Sequence, residues 1–316
     1  MIGRGLALIA MALAVDAGWA AEVSYYQLPS EAGPHDVAPA ADGTVWYTGQ
    51  RKGVLGRFDP KTGKNEEIPL GPNAMPHGVI VGPDGAAWVT EGGQNAIARV
   101  DPATKAVKLF PLPKEFPYAN LNTLTFDKSG VVWFTGQVGF YGRVIPSSGK
   151  VEVWKAPKGF GPYGIATTPA GDVWYASLAG DHIAKIDVTS GDATVVDPPR
   201  KGVGPRRIWS DSKGILWVSF WNSGEVGRYD PAAKAWKSWQ LPNSTRGCYS
   251  VYVDDKDKVW LTDFTANAIV RFDPATETFE SFPSNKSGAS VRQMLGRPGE
   301  AWGAESGTNR LVVVRG

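Results

Sequence analysis

Short runs of alternating apolar and polar residues, separated by turns rich in glycine, proline and aspartate, recur along most of this chain. Alternation with a period of two is typical of β-strands that bury one face. Residues 79–81 and 86–90 are two such runs, and Asp84 with Gly85 between them favours a tight antiparallel hairpin. The 38 glycines and 24 prolines agree with this pattern, because short strands need many turns. The sequence therefore predicts an all-β protein.

The predicted hairpin is one copy of a longer unit that repeats along the chain. Seven tryptophans mark the repeat at spacings of 41 to 45 residues: Trp46, Trp88, Trp133, Trp174, Trp217, Trp260 and Trp302. A repeat of this length with four short strands indicates a β-propeller, and seven repeats predict seven blades. We expect each tryptophan to pack between adjacent sheets, where an indole ring buries roughly 150 to 250 Å². An open β-solenoid is the alternative architecture.

Near each end of the chain, one predicted strand falls outside a complete four-stranded unit. Residues 22–28 precede the first unit, and residues 310–314 form the last strand after Trp302. Pairing the two would complete the last blade and protect a sheet edge. We therefore predict a seven-bladed β-propeller, closed by the N-terminal strand, as a single domain over residues 21–316.

The first twenty residues have the pattern of a secretory signal peptide. Arg4 precedes an apolar run at residues 6–15, and the small residues Gly18 and Ala20 precede a possible cleavage site before Ala21. The run is too short to span a bilayer core of roughly 30 Å, and no later stretch is long and apolar enough. We expect a periplasmic or secreted protein without a membrane span. Cys248 is the only cysteine, so an internal disulfide is excluded.

Charge excludes some partners. The 33 basic and 31 acidic residues leave a net charge of +2 and form no runs, so the sequence has no basic surface typical of nucleic-acid binding. Motifs for phosphate loops, paired-cysteine metal sites and nucleophilic serines are also missing from the sequence. We expect a monomer that binds a small-molecule or cyclic peptide substrate.

In a repeat protein, function is expected where the repeats differ. Eleven residues before each tryptophan, at the entrance to the innermost strand, stand His35, His77, Asn122, Tyr163, Arg206, Tyr249 and Val291, and Arg292 follows the last. We expect these side chains to ring one mouth of the central channel. Glu91 and Glu305 each stand three residues after a tryptophan, at the exit of the second strand on the same face.

Two neutral imidazoles with one or two carboxylates suit a divalent metal or a general base. The candidate catalytic residues are His77, as the base, and His35, and the candidate metal ligands are Glu91 and Glu305. The candidate substrate-binding residues are Asn122, Tyr163, Arg206, Tyr249 and Arg292, and the arginines with Arg207 suit an anionic or carbonyl-rich ligand. The alternatives are a hydrogen-bonded loop histidine, a glutamate that binds loop amides, and arginines paired between blades. His182 is expected to be solvated on an outer loop.

Several segments resemble the virginiamycin B lyase (streptogramin lyase) family. They are Pro-His-Gly-Val at 76–79, Gly-Pro-Asp-Gly at 82–85, Trp-Val-Thr-Glu at 88–91, Ala-Ile-Ala-Arg-Val-Asp-Pro at 96–102, Phe-Pro-Leu-Pro at 110–113 and Gly-Pro-Tyr-Gly-Ile at 161–165. The resemblance implies a seven-bladed propeller that opens cyclic depsipeptide antibiotics by elimination. In that chemistry Mg²⁺ polarises the ester region and a histidine removes the proton next to a carbonyl.

The family places two histidines one blade apart, each after a proline, and His35 and His77 match this arrangement. Glu91 resembles the family's metal-binding glutamate, so the resemblance implies a Mg²⁺ site there. Met75 stands where the family has a second metal carboxylate, so metal binding would need another ligand such as Glu305. The histidine pair is also late in the family's chain, and an unpermuted alignment places Tyr249 and Arg292 there.

We therefore expect a metal-assisted carbon–oxygen lyase that opens a cyclic ester or depsipeptide. A metal-dependent lactone hydrolase of a related propeller type is one alternative. A non-catalytic propeller that binds a ligand or a protein is the other.

Overall fold

A computed structural model describes residues 21–29 and 31–316. These residues form seven four-stranded antiparallel sheets, which are the blades of a β-propeller. The predicted seven-bladed all-β architecture is confirmed. The predicted signal peptide, residues 1–20, lies outside the described residues. Within the described ranges, no helix is long and apolar enough to cross a membrane.

The strands follow one another in the same order in every blade, from the channel outwards. The first strand of the chain is β1 (Glu22–Gln27). Blade 1 contains β2 (Pro34–Pro39), β3 (Val45–Gly49), β4 (Val54–Phe58) and β5 (Asn65–Pro69). Blade 2 contains β6 (Pro76–Val81), β7 (Ala87–Glu91), β8 (Ala96–Val100) and β9 (Val107–Pro111). Blade 3 contains β10 (Leu121–Phe126), β11 (Val132–Gly136), β12 (Phe140–Ile145) and β13 (Lys150–Lys155).

The second half of the ring continues the pattern. Blade 4 contains β14 (Pro162–Thr167), β15 (Val173–Ser177), β16 (His182–Ile186) and β17 (Ala193–Val196). Blade 5 contains β18 (Pro205–Ser210), β19 (Leu216–Phe220), β20 (Glu225–Asp230) and β21 (Ala235–Gln240). Blade 6 contains β22 (Cys248–Val253), β23 (Val259–Asp263), β24 (Ala268–Asp273) and β25 (Thr278–Pro283). Blade 7 contains β26 (Val291–Arg297), β27 (Glu300–Glu305) and β28 (Arg310–Arg315).

The N-terminal strand completes blade 7. β1 pairs antiparallel with β28, with Glu22 opposite Arg315 and Gln27 opposite Arg310. The sheet order is therefore β1-β28-β27-β26, and the predicted closure is confirmed. This pairing satisfies the outer edge of β28, which would otherwise be free to pair with another chain.

The repeated tryptophans pack between neighbouring blades, as predicted. All seven are at most 4 % exposed. Trp88 of blade 2, for example, lies in one apolar cluster with Leu124 and Phe134 of blade 3. In three blades a carboxylate six residues earlier also accepts the indole N–H, as Asp127 does from Trp133 at 2.8 Å. The tryptophans therefore bury large apolar surfaces between sheets, and in these three blades the indole N–H is paired as well.

Every innermost strand contains a β-bulge at its entrance. In β6, Pro76 pairs with Glu91 and Val79 pairs with Val89, so His77 and Gly78 together face Thr90. The Thr90 hydroxyl accepts the N–H of Gly78 at 2.7 Å and donates to the Asn122 carbonyl of the next blade at 2.6 Å. The bulges thus place two adjacent residues per blade at the mouth of the channel.

Candidate functional site

The bulges bring the predicted mouth residues together into one connected cluster. Its members are His35, His77, Asn122, Tyr163, Arg206, Tyr249 and Arg292, linked by ring contacts and hydrogen bonds. In blade 7 the first bulge residue is Arg292 and not Val291, because Val291 pairs with Glu305 before the register shift. The catalytic and binding roles assigned to these residues stay a prediction.

The two histidines lie against each other in the channel. Their ring centroids are 4.0 Å apart at an interplanar angle of 48°, and both side chains are buried. Nδ1 of His35 lies 2.7 Å from a carboxylate oxygen of Asp36, and Nδ1 of His77 lies 3.1 Å from the carbonyl oxygen of Asn122. Both oxygens only accept hydrogen bonds, so each neutral imidazole carries its proton on Nδ1 and its lone pair on Nε2.

Asp36 is the member of the site that sequence reasoning missed. Its carboxylate binds His35 and also pairs with Arg207 of blade 5 at 3.3 Å, across the channel. Arg207 donates a further hydrogen bond to Thr123 of blade 3 at 2.9 Å. Asp36 and Arg207 are the second bulge residues of their strands, and both side chains are buried. They form an ion pair that spans the interior of the ring.

Burial and positive charge keep the imidazoles neutral. Burial lowers the pKa of His35 well below its usual value, and Arg207, Arg292 and Arg206 act in the same direction. Asp36 does not reverse this shift, because its charge is shared with Arg207. Burial, His35, Arg207 and Arg206 likewise lower the pKa of His77, although Asp36 opposes them. At neutral pH both imidazoles are therefore uncharged, with a lone pair on Nε2.

Aromatic rings surround the arginine on the other side of the mouth. The guanidinium carbon of Arg206 lies 3.7 Å from the ring centroid of Tyr249, 4.4 Å from that of Tyr163 and 4.5 Å from that of Trp221. Arg206 also donates to the Tyr163 hydroxyl at 2.7 Å. The two tyrosine hydroxyls lie 2.8 Å apart. The result is a rigid aromatic and cationic wall.

The two tyrosines respond differently to this environment. Burial and the neighbouring Tyr249 raise the pKa of Tyr163. Burial would also raise the pKa of Tyr249, but Arg206 and Arg207, the hydrogen bond with Tyr163, and Arg292 lower it below its usual value. A lowered pKa for a fully buried phenol indicates a strongly positive local potential.

The two predicted metal ligands have other partners. Oε1 of Glu91 accepts the backbone N–H groups of Met75 and Gly93, and burial raises the pKa of this carboxyl. Glu305 forms a buried ion pair with Arg310 at 2.6 Å and accepts a hydrogen bond from Ser284 at 2.7 Å. The structure therefore assigns Glu91 to loop amides and Glu305 to an ion pair within blade 7. The metal-binding role of each stays a prediction, and Oε2 of Glu91 is buried without a hydrogen-bond partner among the described residues.

The predicted Mg²⁺ site stays a prediction, and the group around the histidines is not the oxygen-rich set that Mg²⁺ prefers. Their one group of three possible ligands with atoms within 4.8 Å of one another is His35, Asp36 and His77. Mg²⁺ prefers several oxygen ligands in octahedral geometry, whereas this group offers two nitrogens and one carboxylate. That carboxylate already binds Arg207, and further guanidinium groups lie nearby.

His182 differs from its prediction. Its side chain is fully buried at the start of β16, where Nδ1 lies 3.0 Å from the Gly180 carbonyl and the ring packs against Tyr175. The prediction of a solvated loop residue was wrong. The residue begins a strand that is covered by the neighbouring blade, and the single Asp-His pair in the sequence did not indicate this.

Solved structures of known proteins share the fold. Virginiamycin B lyase from Staphylococcus aureus is 21 % identical with a TM-score of 0.86, and the alignment covers 94 % of this chain and 99 % of that one. A catalytically inactive form of that enzyme with quinupristin is 22 % identical, with the same TM-score and coverage. YCF48 bound to a D1 peptide is 15 % identical with a TM-score of 0.74, covering 93 % of this chain and 97 % of that one. At these identities the likeness shows the fold alone.

Sequence comparison adds the family. No curated protein sequence matches the chain. A model of the virginiamycin B lyase family, however, matches residues 16–137 and again residues 71–315. The two matches overlap and together span nearly the whole repeat. This chain therefore belongs to the virginiamycin B lyase family.

Proposed function

We propose that this protein is a carbon–oxygen lyase that opens a cyclic ester by removing a proton next to a carbonyl group. One observation carries the proposal: two neutral imidazoles lie 4.0 Å apart beside a group of arginines at one mouth of the channel. A neutral imidazole is a suitable base at neutral pH, and guanidinium groups stabilise the negative charge that develops on the carbonyl oxygen.

The hydrogen bonds favour His35 as the base. Its Nδ1–H is held by Asp36, which fixes the tautomer and orients the ring, as in other carboxylate–histidine pairs. Its Nε2 has no hydrogen-bond partner among the described residues. Nε2 of His77, by contrast, lies 3.2 Å from the side-chain nitrogen of Asn122. This assignment reverses the roles predicted from the sequence, where His77 was the base.

The reaction balances without water. Nε2 of His35 takes the proton from the carbon next to the carbonyl, a carbon–carbon double bond forms, and the adjacent C–O bond of the ester breaks. The ester oxygen leaves as a carboxylate, and the proton on the imidazole returns to solvent. The product is therefore a linear isomer of the cyclic substrate.

The products distinguish the candidate reactions. Quinupristin can be incubated with the protein in H₂¹⁸O and followed by mass spectrometry, with simple macrocyclic lactones as probes for a hydrolase only. A lyase gives a product of unchanged mass with a new double bond. A lactone hydrolase instead gives a product heavier by one water that contains ¹⁸O, which would overturn the proposal.

Substitutions separate the two histidines. His35→Ala should reduce the rate roughly 10²- to 10⁴-fold, the range for a positioned general base, while His77→Ala should reduce it less. His182→Gln is a matched control, since His182 is buried in blade 4 whereas His35 and His77 lie in blades 1 and 2. Equal rates for wild type and His35→Ala, with the fold intact by circular dichroism, would contradict the assignment.

A non-catalytic binding protein is the second candidate. It is favoured by the hydrogen bonds within the site, because Asn122 contacts both ring nitrogens of His77 and the Tyr163 hydroxyl binds both Tyr249 and Arg206. Side chains whose hydrogen bonds are all made within the site are held rigidly, which suits ligand binding as well as catalysis. Absence of turnover for every ester tested, with ligand binding retained, would favour this function.

We also propose that the protein is exported to the periplasm or beyond. The support is the sequence of residues 1–20, with Arg4, the apolar run and the small residues before Ala21. Mass spectrometry of protein from its native host should find an N-terminus near Ala21. Intact Met1 on cytoplasmic protein would contradict export.

A further inference from the structure

Two arginines at the channel mouth have no acidic partner among the described residues. Arg206 contacts three aromatic rings and the Tyr163 hydroxyl, and Arg292 donates only to the Ser306 hydroxyl at 2.9 Å. Most other arginines of the ring, such as Arg207 and Arg310, pair with a carboxylate. Arg206 and Arg292 therefore keep guanidinium N–H groups that bind no other described residue.

Both guanidinium groups surround the same tyrosine. The guanidinium carbon of Arg206 lies 3.7 Å from the ring centroid of Tyr249, and that of Arg292 lies 6.0 Å from it. Phe264 stacks on Tyr249 with centroids 4.5 Å apart and limits the movement of the ring. Two guanidinium groups thus lie beside one rigid ring, and guanidinium groups suit the planar geometry of a carboxylate.

The electrostatic balance of the mouth favours an anion. Asp36 is the carboxylate bonded within the site, and Arg207 already neutralises it. The two histidines are neutral, and Arg206 and Arg292 contribute positive charge without an ion pair to a described carboxylate. The lowered pKa of Tyr249 reports the same positive potential. Partly buried cations of this kind gain most from a ligand that brings the opposite charge.

Three exposed apolar side chains lie on the opposite side of the mouth. Met75, Tyr118 and Phe160 are 56 %, 57 % and 66 % exposed, the highest values among the large apolar side chains of the described residues. They lie in the loops that lead into β6, β10 and β14, the innermost strands of blades 2, 3 and 4. These loops are at the same end of the strands as the arginines of blades 5 and 7. Exposed apolar residues gathered at a polar site mark a surface for an apolar ligand group.

From these observations we propose that the ligand is an amphipathic carboxylate. Its carboxylate binds between Arg206 and Arg292 beside Tyr249, and its apolar part covers the rim formed by Met75, Tyr118 and Phe160. This inference rests on the proposed ligand site at the mouth, and it adds a charge requirement that ester cleavage alone does not demand.

A matched pair of probes tests the charge requirement. Phenylbutyrate and its neutral amide, phenylbutyramide, have nearly the same shape, and acetate supplies the anion without the apolar part. Isothermal titration calorimetry on the mature chain should give phenylbutyrate an affinity at least about tenfold higher than the amide, as expected for hydrogen bonds to a charged group. Phenylbutyrate should also bind more tightly than acetate, and added salt should weaken its binding.

Three variants locate the binding site. Arg206→Gln and Arg292→Gln should each reduce the affinity for phenylbutyrate about tenfold and leave that for the amide unchanged. Arg228→Gln is the control, because Arg228 lies on β20 and pairs with Asp230 at 3.8 Å. If loss of Arg206 disturbs its three aromatic neighbours, Arg292→Gln still gives the answer, since Arg292 packs less closely.

The outcomes are separate from those for the lyase. Equal binding of the acid and the amide, no binding of either at millimolar concentration, or full affinity in Arg292→Gln would each overturn the carboxylate site. Carboxylate binding without any ester turnover would support this inference and count against the lyase. Turnover of neutral esters with no preference for acids would do the opposite.

Discussion

The two ends of the innermost strands have opposite chemistry although the same seven strands form both. At the entrance end, bulges place imidazole, guanidinium, phenol and amide groups around the channel. At the exit end, a cavity of about 490 Å³ is lined mainly by apolar groups, among them Phe126, Trp209, Tyr252 and Leu295. The Asp36–Arg207 pair crosses the channel in the part that carries the bulges.

This difference shows which end of the channel can hold polar side chains that bind a ligand. A bulge exposes two adjacent residues per strand and leaves the ladder locally open, so polar side chains there can be satisfied by neighbouring blades. The regular pairing resumes beyond the bulge, and apolar side chains there pack across the channel and between blades. We expect changes at the entrance end to affect ligands and charge balance, and changes at the exit end to affect packing.

The largest effect on stability is expected from Asp36→Ala at the entrance end. This change leaves Arg207 buried without its partner, which should lower the free energy of unfolding by about 3–5 kcal/mol. Urea denaturation measures the loss. Asp42→Ala, which breaks an exposed pair with Arg57, is the control and should cost at most about 1 kcal/mol.

A second variant distinguishes charge from packing at the same position. Asp36→Ala combined with Arg207→Met removes both charges and should recover most of the lost stability. If Asp36→Ala alone is as stable as the wild type, the ion pair across the channel does not stabilise the fold.

A smaller loss is expected from Leu295→Ala at the exit end. Leu295 lies in a buried apolar cluster with Met294 and Tyr252, and truncating it should cost about 2–5 kcal/mol, toward the lower value if the open cavity nearby lets the site relax. Phenylbutyrate affinity should stay at the wild-type value, because the side chain does not contact the entrance cluster. A change in affinity larger than the change in Arg228→Gln would show that the two ends are coupled.

The smallest effect concerns pH. The pKa values of His35 and His77 are lowered in the folded chain by burial, whereas in the unfolded chain they lie near 6.5. Between the folded and unfolded values the unfolded chain binds more protons, so this stability is complete above pH 6.5 and decreases as the pH falls. Each histidine contributes at most about 1.4 kcal/mol per pH unit.

The measurement is a difference between two proteins. Wild type and the variant carrying His35→Gln with His77→Gln can be unfolded in urea at several pH values from 5 to 7. The variant should lose less stability than the wild type on acidification, and subtracting the two curves removes the contribution of the carboxylates. Parallel curves would mean that the histidines titrate normally in the folded protein.

Sequence reasoning could predict the ring because its signal is local and repeated. Each tryptophan stands in the same context, so the number of blades and the closing strand followed from spacing alone. Asp36 could not be found in this way, because its partner Arg207 is 171 residues away and meets it only across the closed ring. The bulge, a feature of strand pairing, decides which residues reach the channel.

Glu91 illustrates a second limit. The hairpin correctly predicted that Glu91 and the residues around His77 share one end of blade 2, since Glu91 pairs with Pro76. Its carboxylate nevertheless binds the N–H groups of Met75 and Gly93, which are nearer along the chain. A shared rim therefore does not decide whether a carboxylate serves a ligand or its own loop.

The pairing of β1 with β28 sets the order in which the molecule can be assembled. The partner of the earliest described strand, residues 22–27, is Arg310–Arg315, so β1 must wait while six blades are synthesised. During that interval its unsatisfied backbone groups are available to chaperones or to other chains. The ring stays open until residues 310–315 are free to pair. Ring closure is therefore a late step in folding, and premature termination before Arg310 would leave β1 without its partner strand.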